Sequence, residues 1–164
     1  FACRKGPACQ ANYFSRISGP FLDRIDLFVD VAPVTATDLT LPPPSEGTAE
    51  AAARVAVARE RQMKRYEELS GNRRPVNADA PSSDVDTICA LDENARALVA
   101  KAAEQLSLSA RAYHRILKVA RTIADLDGAG SVARVHVAEA LNYRFRPAVS
   151  PVSNRSGAVS GLIA

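Results

Sequence analysis

Leu108-Ser109-Ala110-Arg111-Ala112-Tyr113-His114-Arg115-Ile116-Leu117-Lys118-Val119-Ala120-Arg121-Thr122-Ile123-Ala124-Asp125-Leu126 reads as one amphipathic helix. Tyr113, Ile116, Leu117, Ala120, Ile123 and Ala124 recur at helical spacing and predict an inward stripe. Ser109 stands where a side-chain oxygen caps the first turn, and Gly128-Ala129-Gly130 ends the helix. Immediately upstream, Asp92 caps a second helix, with Ala95, Leu98, Val99, Ala102 and Leu106 turned inward. Downstream, Val135, Ala138 and Leu141 mark a last helix that stops near Arg146-Pro147.

Further out lies a long helix that Thr48 caps and that runs to about Leu69, with Glu50 early and Lys64 and Arg65 late, as the helix dipole prefers. Its stripe of Val55, Ala58, Tyr66 and Leu69 is interrupted by Gln62, so about half of it is expected to face solvent. Gly71-Asn72, Pro75 and Pro81-Ser82-Ser83 read as surface loop. The sum is a mainly α chain, a compact bundle of about four helices.

The beginning differs. Ser18-Gly19-Pro20 opens a short helical turn, and in Ile25-Asp26-Leu27-Phe28-Val29-Asp30-Val31 the residues Ile25, Leu27, Val29 and Val31 alternate as in a strand. A single strand leaves its backbone groups unpaired, so its sheet is expected in sequence elsewhere or in another chain. Pro42-Pro43-Pro44 suits neither helix nor central strand and reads as a linker. The organisation expected is a turn-and-strand remnant of an α/β core at 1–33, a linker at 34–47, the helical domain at 48–146 and a poorly ordered Ser, Gly and Pro tail at 147–164.

Composition excludes more than it names. Ala-rich content without Trp favours close-packed helices over a sheet sandwich. The net charge of +3 is too small to argue for nucleic acid. Cys3, Cys9 and Cys89 form no regular framework, and no signal or long apolar span precedes them, so a reduced, cytoplasmic setting without a membrane is expected. The chain starts without Met in what reads as a loop, and we expect it to be part of a longer protein.

None of the eight glycines is followed by Lys, so GxxxxGK[ST] is absent and the chain is not expected to hydrolyse a nucleotide alone. His114 and His136 lie in separate helices without metal-ligand spacing, and Cys3 and Cys9 lack a tetrahedral set; no metal site is expected, and Cys89 is read as core. Two arginines carry more interest. Arg24 sits between a helical turn and the strand, either as a projecting cation or paired with Asp23 or Asp26. Arg111 lies in the first turn of its helix, where the dipole already favours an anion and a cation needs some other advantage. Arg111, Arg115 and Lys118 also follow one face, as a solvated basic stripe would.

Two long segments, Arg16-Ile17-Ser18-Gly19-Pro20-Phe21-Leu22-Asp23-Arg24-Ile25-Asp26-Leu27 and the helix of Leu108 to Leu126, resemble hallmarks of the magnesium-chelatase-like AAA+ ATPases, in particular the YifB/ComM competence group. Val137-Ala138-Glu139-Ala140-Leu141-Asn142-Tyr143-Arg144 resembles the final helix of the same family. The resemblance spans roughly residues 1 to 146 and implies that the helical domain is the AAA+ C-terminal lid. It further implies a hexameric ring ATPase similar to branch-migrating DNA helicases of natural transformation, with ATP and Mg held by the intact protein and none bound tightly by this part alone. The partners implied are the rest of the AAA+ core, neighbouring subunits of a homo-hexamer, and DNA.

In that family pattern Arg24 corresponds to an arginine finger, with Arg16 as the weaker candidate, and Arg111 to the second sensor that contacts nucleotide. A guanidinium suits both tasks, being permanently charged and able to fork onto phosphate oxygens. Two positions depart from the pattern: Cys3-Arg4-Lys5 replaces Cys-Arg-Cys, and Ala133 replaces a capping Asp. A different class of reading is a stand-alone helical DNA-binding or adaptor module using Arg54, Arg59, Lys64, Arg65, Arg73 and Arg74 or the Arg111 to Lys118 face, although Glu60, Glu67 and Glu68 interleave with those cations.

Overall fold

The computed structural model describes residues 12, 13, 15–22, 24–42, 45–70 and 76–144. Along the chain run α1 (Gly19–Leu22), α2 (Thr48–Ser70), α3 (Val85–Cys89), α4 (Glu93–Gln105), α5 (Ala110–Asp127) and α6 (Arg134–Asn142), with 3-10 turns at Asp38–Thr40 and Asn77–Asp79. The fold is mainly helical, as the periodicity indicates. The centre is α5, which packs on α6, on α2, on α3 and on the Asn77–Asp79 turn, while α4 packs on α6. Leu98, Val99, Leu117, Ala124, Val137 and Leu141 are buried where these helices meet. Alanines between them let the helices approach closely.

The capping residues do what their chemistry allows. Asp92 accepts from the Ala95 amide at 2.6 Å, and Ser109 accepts from the Ala112 amide at 3.2 Å. Each such cap is worth about 1 kcal/mol. Gly128 closes α5 in the left-handed region at φ 78°, and the Ala129 amide reaches back to the Ala124 carbonyl at 2.8 Å. Between α3 and α4 a single parallel bridge joins Leu91 to Val132, with the Asp92 amide on the Val132 carbonyl at 3.1 Å and the Val132 amide on the Ala90 carbonyl at 3.3 Å. It stitches the entry of α4 to the entry of α6.

Several expectations are corrected. Thr48 is the first residue of α2 and not its cap; Gly47 precedes the helix, and Glu50 reaches back to accept the Gly47 amide at 3.0 Å. The α2 stripe is Ala58, Gln62 and Tyr66, whereas Val55 and Leu69 are exposed. Gln62 is buried because its side-chain carbonyl accepts the Asn77 amide at 3.3 Å, which makes it part of the contact and not a gap in it. On α6, Val135 points to solvent and His136 and Val137 turn inward. Between Pro81-Ser82-Ser83 and Asp92, a stretch the periodicity assigns to no element, lies α3, a helix of five residues whose Val85, Ile88 and Cys89 are buried.

The alternation at 25–31 does not form a strand. Ile25, Leu27, Val29 and Val31 are exposed, Val31 to 87%, and no ladder pairs them among the described residues. Alternation predicts a strand only where a second edge is available, and the described bundle offers helices with saturated backbones. Among the described residues two backbone bonds touch the segment: the Ile25 amide closes on the Leu22 carbonyl at 3.1 Å, and the Phe28 amide reaches the Tyr143 carbonyl at the end of α6 at 2.8 Å. Cys3, Cys9, Asp23, Gly71-Asn72, Arg73, Arg74, Pro75 and everything from Phe145 onward lie outside the described residues. No helix among the described residues is long and apolar enough to cross a membrane.

Candidate functional site

Short-range bonding places Arg24. The Ser18 carbonyl accepts the Phe21 and Leu22 amides at 3.0 and 3.2 Å, and the Arg24 amide closes the next turn on the Phe21 carbonyl at 3.0 Å. The Arg24 side chain leaves this turn into solvent and has no hydrogen-bond or ion-pair partner among the described residues. Of the partners weighed for it, Asp26 is engaged elsewhere: its carboxylate accepts Arg115 Nε at 3.0 Å. Arg16, eight residues earlier, is also exposed, with its amide on the Tyr13 carbonyl at 3.2 Å.

On α5 the basic face divides. Arg115 is bound to Asp26, and Lys118 Nζ donates to the Ala78 carbonyl at 2.9 Å. Arg111, in the first turn beside the Ser109 cap, is exposed and without a partner among the described residues. The stripe is therefore one projecting guanidinium followed by two cations that fasten neighbouring segments to the helix. Arg115 lies one turn beyond Arg111, about 6 Å along the axis. The segment that carries Arg24 is thus anchored within one turn of Arg111.

At the other end of α5 stands a polar cluster that periodicity passes over. Arg121 is fully buried; its Nε donates to Asp125 Oδ1 at 3.1 Å, Nη1 to the Gly130 carbonyl at 2.8 Å and Nη2 to the Ala129 carbonyl at 2.6 Å. Arg65 from α2 forks onto the same carboxylate, through Nη2 to Oδ1 and through Nη1 to Oδ2 at 3.1 Å. Asn77 adds its amide, Nδ2 to Asp125 Oδ2 at 2.9 Å, and Arg61 Nη1 donates to the Asp125 carbonyl at 2.7 Å. Burial pulls the Arg121 guanidinium below the ordinary arginine range, and the charge of Asp125 opposes that pull.

Every buried side-chain nitrogen and oxygen among the described residues has a partner, so this cluster presents no open valence to a ligand. Its chemistry is that of a joint. The signal available in the sequence was the i,i+4 spacing of Arg121 and Asp125 beside the apolar Ala120 and Ala124.

The histidines and the thiol also settle into structural places. His136 Nδ1 accepts the Ala133 amide at 3.0 Å, reaching back from the first turn of α6 to satisfy that N–H, while Nε2 lies 3.2 Å from Asp127. His114 is half-buried, edge-on to Tyr113. Burial pushes the Cys89 thiol up to about 12, and its S–H donates to the Leu117 carbonyl at 3.4 Å. Among the described residues no three His, Cys, Asp or Glu converge as metal ligands would.

Comparison with known proteins adds a second line. Residues 45–144 match the family model described as magnesium chelatase, subunit ChlI C-terminal, and residues 1–39 match the model described as magnesium chelatase, subunit ChlI. Competence protein ComM of Haemophilus influenzae is 39% identical over 141 residues, which cover 86% of this chain and 26% of that protein. The uncharacterized protein YifB of Escherichia coli is 37% identical over 147 residues, covering 84% of this chain and 26% of that protein. YifB of Salmonella typhimurium is 35% identical over 147 residues, with the same coverage of 84% and 26%. This chain spans about a quarter of the length of the curated relatives it matches.

Proposed function

Because this chain belongs to the magnesium chelatase subunit ChlI C-terminal family and corresponds to the C-terminal part of AAA+ proteins of the ComM and YifB group, we propose that it supplies the arginine half of a nucleotide site in a ring-forming ATPase. The parent protein is a DNA-remodelling motor, a branch-migration helicase of natural transformation or recombination, assembled as a homo-hexamer. The name of the Haemophilus influenzae relative, a competence protein, supports that direction.

One observation carries the reading: Arg24 and Arg111 both project into solvent without partners among the described residues, and the segment bearing the first is fastened one turn from the second. Exposed, unpaired guanidiniums suit phosphate oxygens, and a chain without a phosphate loop has these to offer. Mg-ATP, when bound by the loop of the intact protein, supplies the transferable phosphoryl group. Arg24, at the exit of the α1 turn, donates to charge that develops on a phosphate at a neighbouring subunit. Arg111, beside the N-terminal amides of α5, holds nucleotide phosphate where the helix end adds its own positive field. Stand-alone DNA binding draws less support, because Arg54, Lys64 and Arg65 are paired with Glu46, Glu60 and Asp125.

The experiment places Arg24→Ala in the full-length protein with its phosphate loop. ATP turnover is expected to fall by about three to five powers of ten while nucleotide binding persists. Arg16→Ala, measured in parallel, should fall far less. Unchanged turnover in Arg24→Ala overturns the proposal.

A further inference from the structure

We propose that Asp26 and Arg115 are positioning residues, forming a strap that makes the Arg24 segment and the lid helix move as one body. The inference rests on the functional reading above and adds residues to it. Between α1 and α2 the chain from 24 to 42 is largely exposed, and the described contacts that hold it to the bundle are few. Two of them lie close together. Arg115 Nε meets Asp26 Oδ1 at 3.0 Å on α5, and the Phe28 amide meets the Tyr143 carbonyl at 2.8 Å just past α6.

Two attachments two residues apart define a direction as well as a point. With the chain fixed at Asp26 and Phe28, the turn that carries Arg24 is held against the α5 and α6 end of the bundle. Arg24 itself is two residues before Asp26, within about 7 Å by backbone length. Any rotation of the bundle that moves Arg111 therefore carries Arg24 with it.

Stability is not what the ion pair contributes. Its side chains are 22% and 55% exposed, and pairs so placed contribute little to folding. Arg115 is also too far along α5 to share the position of Arg111 at its capped end. A pair with little worth for folding, joining the two segments that bear the projecting arginines, has its effect on geometry.

The test is made in the full-length protein with Asp26→Asn, Arg115→Gln and the reversed pair Asp26→Arg with Arg115→Asp. Each single substitution should lower kcat for ATP by about tenfold to a hundredfold, the range set by displacing a catalytic group by roughly 1 Å. KM for ATP and the melting temperature should stay close to those of the parent. The reversed pair should recover most of the loss, which a direct phosphate-binding role for Arg115 would not allow, and the unchanged melting temperature of the singles sets the effect apart from a merely structural one. Singles with unchanged kcat, or a reversed pair no better than the singles, overturn the strap. Arg24→Ala run alongside separates the two ideas: turnover that survives it overturns the functional reading, and turnover lost there but kept in Asp26→Asn and Arg115→Gln overturns the strap alone.

Discussion

The two ends of α5 carry the same residue type to opposite ends. Arg121, near the C-terminus, is enclosed by Asp125, Arg65 and the carbonyls of Ala129 and Gly130. Arg111, in the first turn, faces solvent with no partner among the described residues. What differs is the covering. The Arg121 end lies under α2 and beside the loop into α6, so a charge there is stable only if every proton on it is received. At the N-terminal end Ala112 and Ile116 turn to the core while Arg115 and Lys118 hold neighbouring segments, which leaves Arg111 outside. The lesson is that an arginine on a helix is assigned to structure or to solvent by what packs over that turn.

Removing the hub is the harshest way to break this contrast. Asp125→Ala leaves Arg121 and Arg65 as buried or half-buried charges without their shared acceptor, and should destabilise the bundle by about 3–5 kcal/mol in denaturant unfolding. A cost below about 1 kcal/mol would mean water already reaches that end.

Gly128→Ala tests the same end more gently. Its φ of 78° disfavours an L side chain, and a Cβ there would lie 3.0 Å from Arg61 Nη2. The expected loss is about 1–2 kcal/mol, with α2 loosened as Arg61 gives way.

Alkaline pH probes the covered interior. The folded pKa values of Cys89 and Tyr66 are both pushed up to about 12 by burial, from ordinary values of 9.0 and 10.0. The folded state therefore keeps protons that the unfolded chain releases, so stability is intact below pH 9 and declines as pH rises toward 12. A loss on the order of 1 kcal/mol by pH 10 is expected, and Cys89→Ala should flatten the part between pH 9 and 10.

Arg111→Ala should change stability least, within about 0.5 kcal/mol, since nothing described depends on it. A larger loss would place a partner on the open end.

The sequence made the local part of this plain. Asp92 and Ser109 announce their helices because a cap acts on amides two or three residues away, and the α5 stripe follows from spacing alone. Where the answer depended on a distant segment, the reading stopped short. Gln62 looks like a break in a stripe until Asn77 is seen opposite it, and Arg121 and Asp125 count as polar until α2 covers them. The alternation from Ile25 to Val31 satisfies the pattern of a strand, but a strand is a property of two edges. Of the candidate site, the position of Arg111 in its first turn was legible, and the bond from Arg115 to Asp26 was not, because nothing within either segment points to the other.

The way α2 is fastened has a mechanical consequence. Its buried apolar contribution is Ala58 and Tyr66, and its direction comes from Arg61 and Arg65 converging on Asp125. Thr48 stands about 26 Å from Arg65 along the helix at 1.5 Å per residue, so a tilt of roughly 10° at that joint displaces the far end by about 4–5 Å. The helix is a lever pivoted near one carboxylate. A tilt too small to disturb the packing around α5 would be magnified at the point where the chain leaves for the Arg24 segment.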